Sequence, residues 1–228
     1  MQKPQSLALT SLLLLVPVPS IGVVFGMIVA PNSWFGSLAF VGSKIWILGL
    51  PLAWLVLVDQ QPISWSRPTR GGFGAAVALG VITSTVILAT FWLLGDVLID
   101  RTMVADMAVQ VGLDSPAVYL AGALYWITIN SVLEEYVWRW FVVRQAEQLV
   151  SPWGAIVISA AGFTLHHVVA MRVYFTWTVV LIASVGIFVG GATWSWLYQR
   201  YRSVWPAYLS HAIVDVAVFF VGYRLIFT

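Results

Sequence analysis

The sequence predicts an all-α fold, a polytopic transmembrane helix bundle of about seven spans. The chain has 228 residues, of which 61% are hydrophobic and only 9% are charged, and its mean hydropathy is +0.92. A membrane span needs about 20 consecutive, mostly apolar residues, and such runs recur along the whole chain. No polar stretch is long enough for a separate water-soluble domain. We therefore expect a single membrane domain over residues 1–228.

Seven apolar runs are long enough to cross a bilayer. Their approximate bounds are 7–30, 36–58, 73–95, 116–143, 153–171, 173–197 and 203–222. The first run contains Pro17 and Pro19, and proline kinks or breaks a helix interior, so this span should be interrupted. A cleaved signal peptide is the alternative for this run. Its length and the lack of a small-x-small cleavage site favour a retained helix.

Two connectors between the runs are polar. Residues 59–72 contain the prolines and glycines typical of a loop. Residues 96–115 carry four aspartates and one arginine, and they favour a short interfacial helix. Lys44 and Asp59 are expected at span ends, or with side chains that extend to the interface.

Basic residues are unevenly divided between the two sides that seven alternating spans define. The side of the N-terminus holds Lys3, Arg67, Arg70, Arg144, Arg200 and Arg202. The opposite side holds only Arg101, Arg172 and Arg224, together with the acidic connector. The positive-inside rule therefore predicts a cytoplasmic N-terminus. We expect a multi-pass protein of the plasma (inner) membrane of a prokaryote.

Composition excludes several classes of function. The chain has no cysteine, which excludes disulfides, thiolate catalysis and metal sites with cysteine ligands. A net charge of +2 is too small to indicate nucleic-acid binding. The high hydropathy makes the lipid bilayer the expected surroundings.

Three apolar stretches contain ionisable residues at membrane depth. They are Glu134-Glu135-Tyr136-Val137-Trp138-Arg139, Phe163-Thr164-Leu165-His166-His167, and His211-Ala212-Ile213-Val214-Asp215. Ionisable groups at this depth usually face a protein interior or a water-filled cavity, where they have a partner. A rise of 1.5 Å per residue puts Glu134, His167 and His211 roughly 13, 21 and 12 Å below the cytoplasmic surface. The three stretches can therefore meet at one level.

Spacing within the stretches indicates different roles. Glu135 and Arg139 are i,i+4 neighbours on a helix, so they can form an ion pair that holds the helix in place. Glu134 points about 100° away from Glu135 and is the freer carboxylate. Asn130 is i,i+4 to Glu134, and it either orients that carboxylate or bridges two helices.

These residue types fit the hydrolysis of an amide without a nucleophilic serine or cysteine. Glu134 facing His167 could hold a water molecule and take its proton as a general base. His211, oriented by its i,i+4 neighbour Asp215, could donate a hydrogen bond to the oxyanion that forms when water attacks a carbonyl. No cofactor is required for this chemistry.

The three motifs together resemble those of the CAAX protease and bacteriocin-processing family, also called Abi. Its best-known branch is the Rce1-type glutamic intramembrane endopeptidases. The matching positions are Glu134, Glu135, Arg139, Phe163, His167, His211 and Asp215. The resemblance covers roughly residues 116–222, which leaves 1–115 as accessory helices and the acidic connector.

The resemblance implies both a function and a division of roles. Glu134 and His167 would activate water, whereas His211 and Asp215 would complete the site and support the oxyanion. The implied activity is endopeptidase cleavage of a membrane-associated protein or peptide. The family's processing roles include prenyl-protein processing, peptide or bacteriocin maturation and immunity, and removal of C-terminal membrane anchors. His166 lies outside the family pattern and is expected to be a neighbour with a local hydrogen bond.

Two positions depart from the family pattern. Trp140 follows Arg139 where the family often has a small residue. Asp215 stands where the prenyl-protein branch tends to have asparagine, and an ionised aspartate cannot donate a hydrogen bond. The second departure shifts the expected role of Asp215 towards orienting His211, and it weakens the transfer of the prenyl-CAAX substrate to this chain.

Two other functions use the same residues. Two histidines with two or three carboxylates could bind zinc or another divalent ion, although no His-Glu-x-x-His motif is present. An alternative from a different class is a proton-coupled transporter, because intramembrane Glu, His and Asp also form proton relays. A non-catalytic membrane scaffold is the other alternative of this class.

Overall fold

The computed structural model describes residues 5–228, and every regular element in that range is helical. Seven helical segments are long and apolar enough to cross a membrane: Gln5–Val29, Trp34–Val58, Phe73–Leu98, Pro116–Ala146, Pro152–Arg172, Trp177–Tyr201 and Val204–Phe227. We number these spans from first to seventh. The predicted bundle of seven spans is confirmed, and the protein is an integral, multi-pass membrane protein.

The first span is interrupted as its prolines predict. It consists of the α-helix Gln5–Leu15, a turn at residues 16–17, the α-helix Val18–Val23 and the π-helical segment Val24–Val29. The connector at 59–72 has no regular helix, and the acidic connector contains the short helix Arg101–Gln110, as expected.

Several span boundaries differ from the sequence prediction by three to five residues, and two of the differences have a cause in the structure. The sixth span begins at Trp177 and not near residue 173, because backbone hydrogen bonds to Ala170 and Met171 close a turn after the fifth span. The seventh span continues to Phe227, five residues beyond the predicted end. Leu225 near that end is buried against Phe91 of the third span, and tertiary packing therefore stabilises the additional turn.

The fourth span is the centre of the bundle. Its second half, the π-helical segment Tyr136–Val143, contacts the fifth, sixth and seventh spans, and every residue of it from Val137 onwards is buried. The fifth and sixth spans pack along each other. Gly191 of the sixth span allows this approach, because a Cβ atom there would come within 3.2 Å of Phe163.

Connectors at one end of the bundle contact one another. Ser203 donates a hydrogen bond to the carbonyl oxygen of Ser66 at 2.6 Å, and Arg202 pairs with Glu147 at 2.7 Å. The hydrogen bond to Glu147 raises the pKa of Arg202. The basic residues at this end are Arg67, Arg70, Arg144, Arg200 and Arg202, as the sequence predicts, whereas Lys3 lies outside the described residues.

Candidate active site

The fourth, fifth and seventh spans bring the three motifs together. Glu134 lies in a short α-helical segment, Ser131–Glu135, between the π-helical segments Trp126–Asn130 and Tyr136–Val143. A π-helical turn rotates the residues that follow it relative to an unbroken α-helix, and such turns are frequent at functional sites. Oε2 of Glu134 lies 3.7 Å from Nε2 of His211. The predicted convergence at one level is present.

Glu135 is the fully buried centre of the site. Its Oε2 lies 3.3 Å from Nε of Arg139, so the predicted ion pair is formed. Its other oxygen, Oε1, lies 2.9 Å from Nδ1 of His211. Glu135 and Arg139 are both completely inaccessible to solvent. One carboxylate therefore joins the fourth span to the seventh.

Aromatic rings enclose the charged groups. The guanidinium carbon of Arg139 lies 4.7 Å from the ring centre of Phe163 and 5.2 Å from that of Trp194. Trp194 also stacks on His211, with ring centres 3.7 Å apart. Cations over aromatic faces gain electrostatic stabilisation. Phe163 lies against Arg139, and its supporting role stays a prediction. Trp194 is a residue of the candidate site that the sequence does not reveal, because nothing distinguishes it from the other 12 tryptophans.

Asp215 occupies a different position from the one expected. Its Oδ1 lies 3.6 Å from Nε2 of His211, which is too long for a hydrogen bond. Its Oδ2 lies 2.6 Å from Oγ of Ser131. Asp215 therefore does not hold His211 through a hydrogen bond, and Glu135 does, because the Glu135 side chain reaches Nδ1 from the fourth span.

Ser131 makes two short contacts with one hydroxyl group. Its Oγ lies 2.6 Å from Asp215 Oδ2 and 2.8 Å from the carbonyl oxygen of Trp126. A hydroxyl has one proton, and a carbonyl oxygen only accepts. Both contacts are hydrogen bonds at the same time only when the Asp215 carboxyl is protonated and donates to Ser131. In that form, Asp215 has the donor capacity of an asparagine.

Glu134 and the two adjacent histidines form a second cluster. One carboxylate oxygen of Glu134 and one ring nitrogen each of His166 and His167 all lie within 4.8 Å of one another. Nδ1 of His167 lies 2.8 Å from the carbonyl oxygen of Phe163, so Nδ1 carries the proton and Nε2 has a free lone pair. The Glu134 side chain is 21% exposed, in contrast to that of Glu135.

His166 belongs to this cluster, although it was expected to be a neighbour with a local hydrogen bond. Its ring is parallel to that of Trp138, at an interplanar angle of 1°, and lies 4.0 Å from the ring of His167. Its Nδ1 is buried and has no partner at good hydrogen-bond geometry within residues 5–228, and the backbone of Gly162 lies within reach of the ring, which is the local contact expected of this residue. The family pattern omits this position, so only the fold places the ring beside Glu134.

Two further polar residues differ in their relation to the site. Asn130 makes no side-chain hydrogen bond to another residue of the described range 5–228, so its supporting role stays a prediction. Lys44 lies near the middle of the second span and not at its end, because the helix begins at Trp34 under a Ser33 cap. The positive charge of Lys44 acts on the rings of His166 and His167.

Fold and site define an integral membrane protein with a buried carboxylate–imidazole cluster between three helices. Residues 116–217, slightly less than half of the chain, match the family described as Rce1-like, type II CAAX prenyl endopeptidase Rce1-like. The matched segment contains all three motifs, so the resemblance to Rce1-like proteins is confirmed, and with it a CAAX-type membrane protease activity is implied. No curated protein and no solved structure matches the chain significantly.

Proposed function

We propose that this protein is a glutamic intramembrane endopeptidase that hydrolyses a peptide bond with a water molecule activated by Glu134 and His167. The observation that carries the proposal is the approach of a Glu134 oxygen to a ring nitrogen of His167, within 4.8 Å, beside Nε2 of His211. Two acceptors this close can share one water molecule, and a hydrolytic water needs a positioned base.

Water activation follows from the lone pairs of the two residues. The Glu134 carboxylate and Nε2 of His167 each accept one hydrogen bond from the water, because Nδ1 of His167 already donates to Phe163. The oxygen of the water then presents its own lone pairs to the substrate carbonyl. As it attacks the carbonyl carbon, one of its protons passes to Glu134.

His211 would stabilise the oxyanion. Glu135 accepts from Nδ1–H, so Nε2 can donate only while the ring carries both protons. The Glu134 and Glu135 carboxylates lie 3.7 and 2.9 Å from the two ring nitrogens and favour that cation. A donor aimed at the position where negative charge develops lowers the barrier to acyl transfer.

The last step of the reaction is cleavage of the peptide bond. The C–N bond of the tetrahedral intermediate is cleaved, and the leaving nitrogen takes the proton held by Glu134. The immediate products are a carboxylic acid and an amine, and Glu134 returns to its ionised form. The acid then gives its remaining proton to the amine, so the released termini are a carboxylate and an ammonium group. Catalysis by these residues consumes no cofactor.

The substrate would be a membrane-associated protein or peptide. Its backbone must be locally extended at the cleaved bond, since a helix engages its own carbonyls. CAAX-type processing is favoured by the family match. Peptide or bacteriocin maturation or immunity and cleavage of a C-terminal anchor or sorting signal use the same chemistry.

The proposed membrane orientation follows the basic residues. The end of the bundle that holds five arginines would face the cytoplasm, and the N-terminus with it. Residues 116–222 would be the catalytic core and residues 1–115 the accessory part of a single membrane domain. The catalytic level would then be reached from the cytoplasmic half of the membrane of a prokaryotic cell.

The test compares protein termini in membranes that contain either the wild-type protein or Glu134→Gln. We expect new termini with the wild type and a loss of about 10²–10⁴-fold in their rate of formation with the variant, as for removal of a general base. His167→Ala should have a similar effect. Glu147→Gln is the matched control, because it makes the same change at a surface ion pair.

Equal patterns of new termini in wild type and Glu134→Gln would refute the protease proposal. If Glu134→Gln, His167→Ala and His211→Ala insert, fold and preserve the cellular function, a scaffold role would be favoured. Proton flux into vesicles that depends on Glu134, without new termini, would instead indicate a transporter.

A further inference from the structure

We propose that Glu134, His166 and His167 form a binding site for a divalent transition-metal ion, and that the ion inhibits the protease reversibly. The inhibitory part of this inference rests on the proposed function, whereas the metal site itself does not. The three residues offer one oxygen and two nitrogens, all within 4.8 Å of one another. Ligand atoms around a zinc ion at 2.0–2.2 Å are separated by roughly 3–4 Å, so a small adjustment of side chains completes the site.

The two histidines have the surroundings that metal ligands need. Metal-bound imidazoles usually donate their other N–H to a backbone carbonyl or carboxylate, which fixes the tautomer. Nδ1 of His167 makes such a contact with Phe163 at 2.8 Å, and its Nε2 is left free. His166 is held by stacking on Trp138 and by the contact of its ring with the backbone of Gly162.

The donor set selects the class of metal. Two imidazoles with one carboxylate suit Zn²⁺, Co²⁺ and related ions, and hard ions such as Mg²⁺ and Ca²⁺ prefer sites made of oxygen alone. The partly exposed carboxylate of Glu134 gives an entering ion access to the cluster. Lys44 opposes cation binding, because its positive charge acts on both histidines.

Metal binding and water activation require the same lone pairs. An ion on Glu134 and His167 removes the base and the second acceptor of the proposed water, so it blocks the metal-free reaction. His166 has no part in that reaction. The structure therefore predicts that replacement of His166 removes the inhibition by the metal, measured as the ratio of the rates with and without the ion in the same variant.

The experiment uses purified full-length protein that has been treated with EDTA and then titrated with Co²⁺. We expect the visible absorption of one Co²⁺ per chain in a low-symmetry nitrogen–oxygen site, and displacement by Zn²⁺. His166→Phe keeps the stacking on Trp138 and removes the ligand. It should weaken Zn²⁺ binding by more than the roughly 10–100-fold that loss of an outer-shell partner causes. Lys44→Met should strengthen it.

The activity arm follows the formation of new termini. Zn²⁺ should stop wild-type processing and EDTA should restore it, whereas the processing rate of His166→Phe should be the same with Zn²⁺ as with EDTA. Absence of stoichiometric Co²⁺ binding, or equal binding by His166→Phe, would overturn the metal site and leave the proposed protease intact. Binding without any processing would support the site and refute the proposed function. Processing that requires Zn²⁺ would refute the inhibitory role and the metal-free mechanism together.

Discussion

Glu134 and Glu135 are adjacent in sequence, yet they lie in opposite environments. Glu135 is completely buried, and each of its oxygens faces a nitrogen, on Arg139 and on His211. Glu134 is partly exposed, its Oε2 lies 3.7 Å from Nε2 of His211, and it shares a cluster within 4.8 Å with His166 and His167. A buried carboxylate with fixed partners holds two helices together, whereas a partly exposed one with loose partners is accessible to a water molecule. The comparison therefore distinguishes Glu135, a structural carboxylate, from Glu134, the candidate general base.

The largest effect on stability is expected from breaking the Glu135–Arg139 pair. Arg139→Met should lower the free energy of unfolding by about 3–5 kcal/mol, because it leaves a buried carboxylate without its cation. Denaturation in detergent micelles measures this change. Arg202→Met is the control, since its pair with Glu147 is partly exposed and such pairs contribute about 0–1 kcal/mol. Equal losses in both variants would mean that Glu135 is not the structural partner.

His211 connects the two environments, and its replacement should act mainly on the rate of the chemical step. His211→Gln retains a donor for Glu135 and removes the proposed oxyanion donor. We expect kcat to fall by about 10²–10³-fold with little change in KM. The measurement needs a peptide that contains an identified cleavage site. A raised KM with an unchanged kcat would place His211 in substrate binding.

The smallest effect is expected at Asp215. Asp215→Asn should change the cleavage rate by less than about tenfold, because an amide can donate to Ser131 as a protonated carboxyl does. Ser131→Ala should lower the free energy of unfolding by about 0.5–1.5 kcal/mol, the usual contribution of one hydrogen bond. If Asp215→Asn abolished cleavage and Asp215→Glu restored it, the ionised carboxylate would be required.

The seven-span fold could be predicted from the sequence, because each span depends on the hydropathy of its own residues. A segment of about 20 apolar residues forms a helix in lipid whatever its neighbours are, since the helix satisfies all the backbone hydrogen bonds within that one segment. The interruption at Pro17 was predictable for the same reason. The start of the sixth span and the end of the seventh could not be predicted, because a turn after Arg172 and the packing of Leu225 determine them.

Within the site, contacts inside one helix were predictable and contacts between helices were not. The i,i+4 spacing of Glu135 and Arg139 led to the observed ion pair. The same spacing between His211 and Asp215 did not lead to a hydrogen bond, because Glu135 and Ser131 of the fourth span reach these groups at shorter distances. His166 and Trp194 joined the site without any signal in the sequence.

The sequence by itself determined that this protein is a helical membrane bundle with three polar motifs at a common depth, and that residues 116–217 resemble Rce1-like proteins. Hydropathy and motif order are properties of the chain, and they do not depend on how the helices pack. Only the tertiary structure decided which carboxylate is locked to Arg139 and His211 and which faces the histidine pair. Adjacent side chains on a helix point in different directions, and only the packing of the fourth span against its neighbours decides which of them is enclosed.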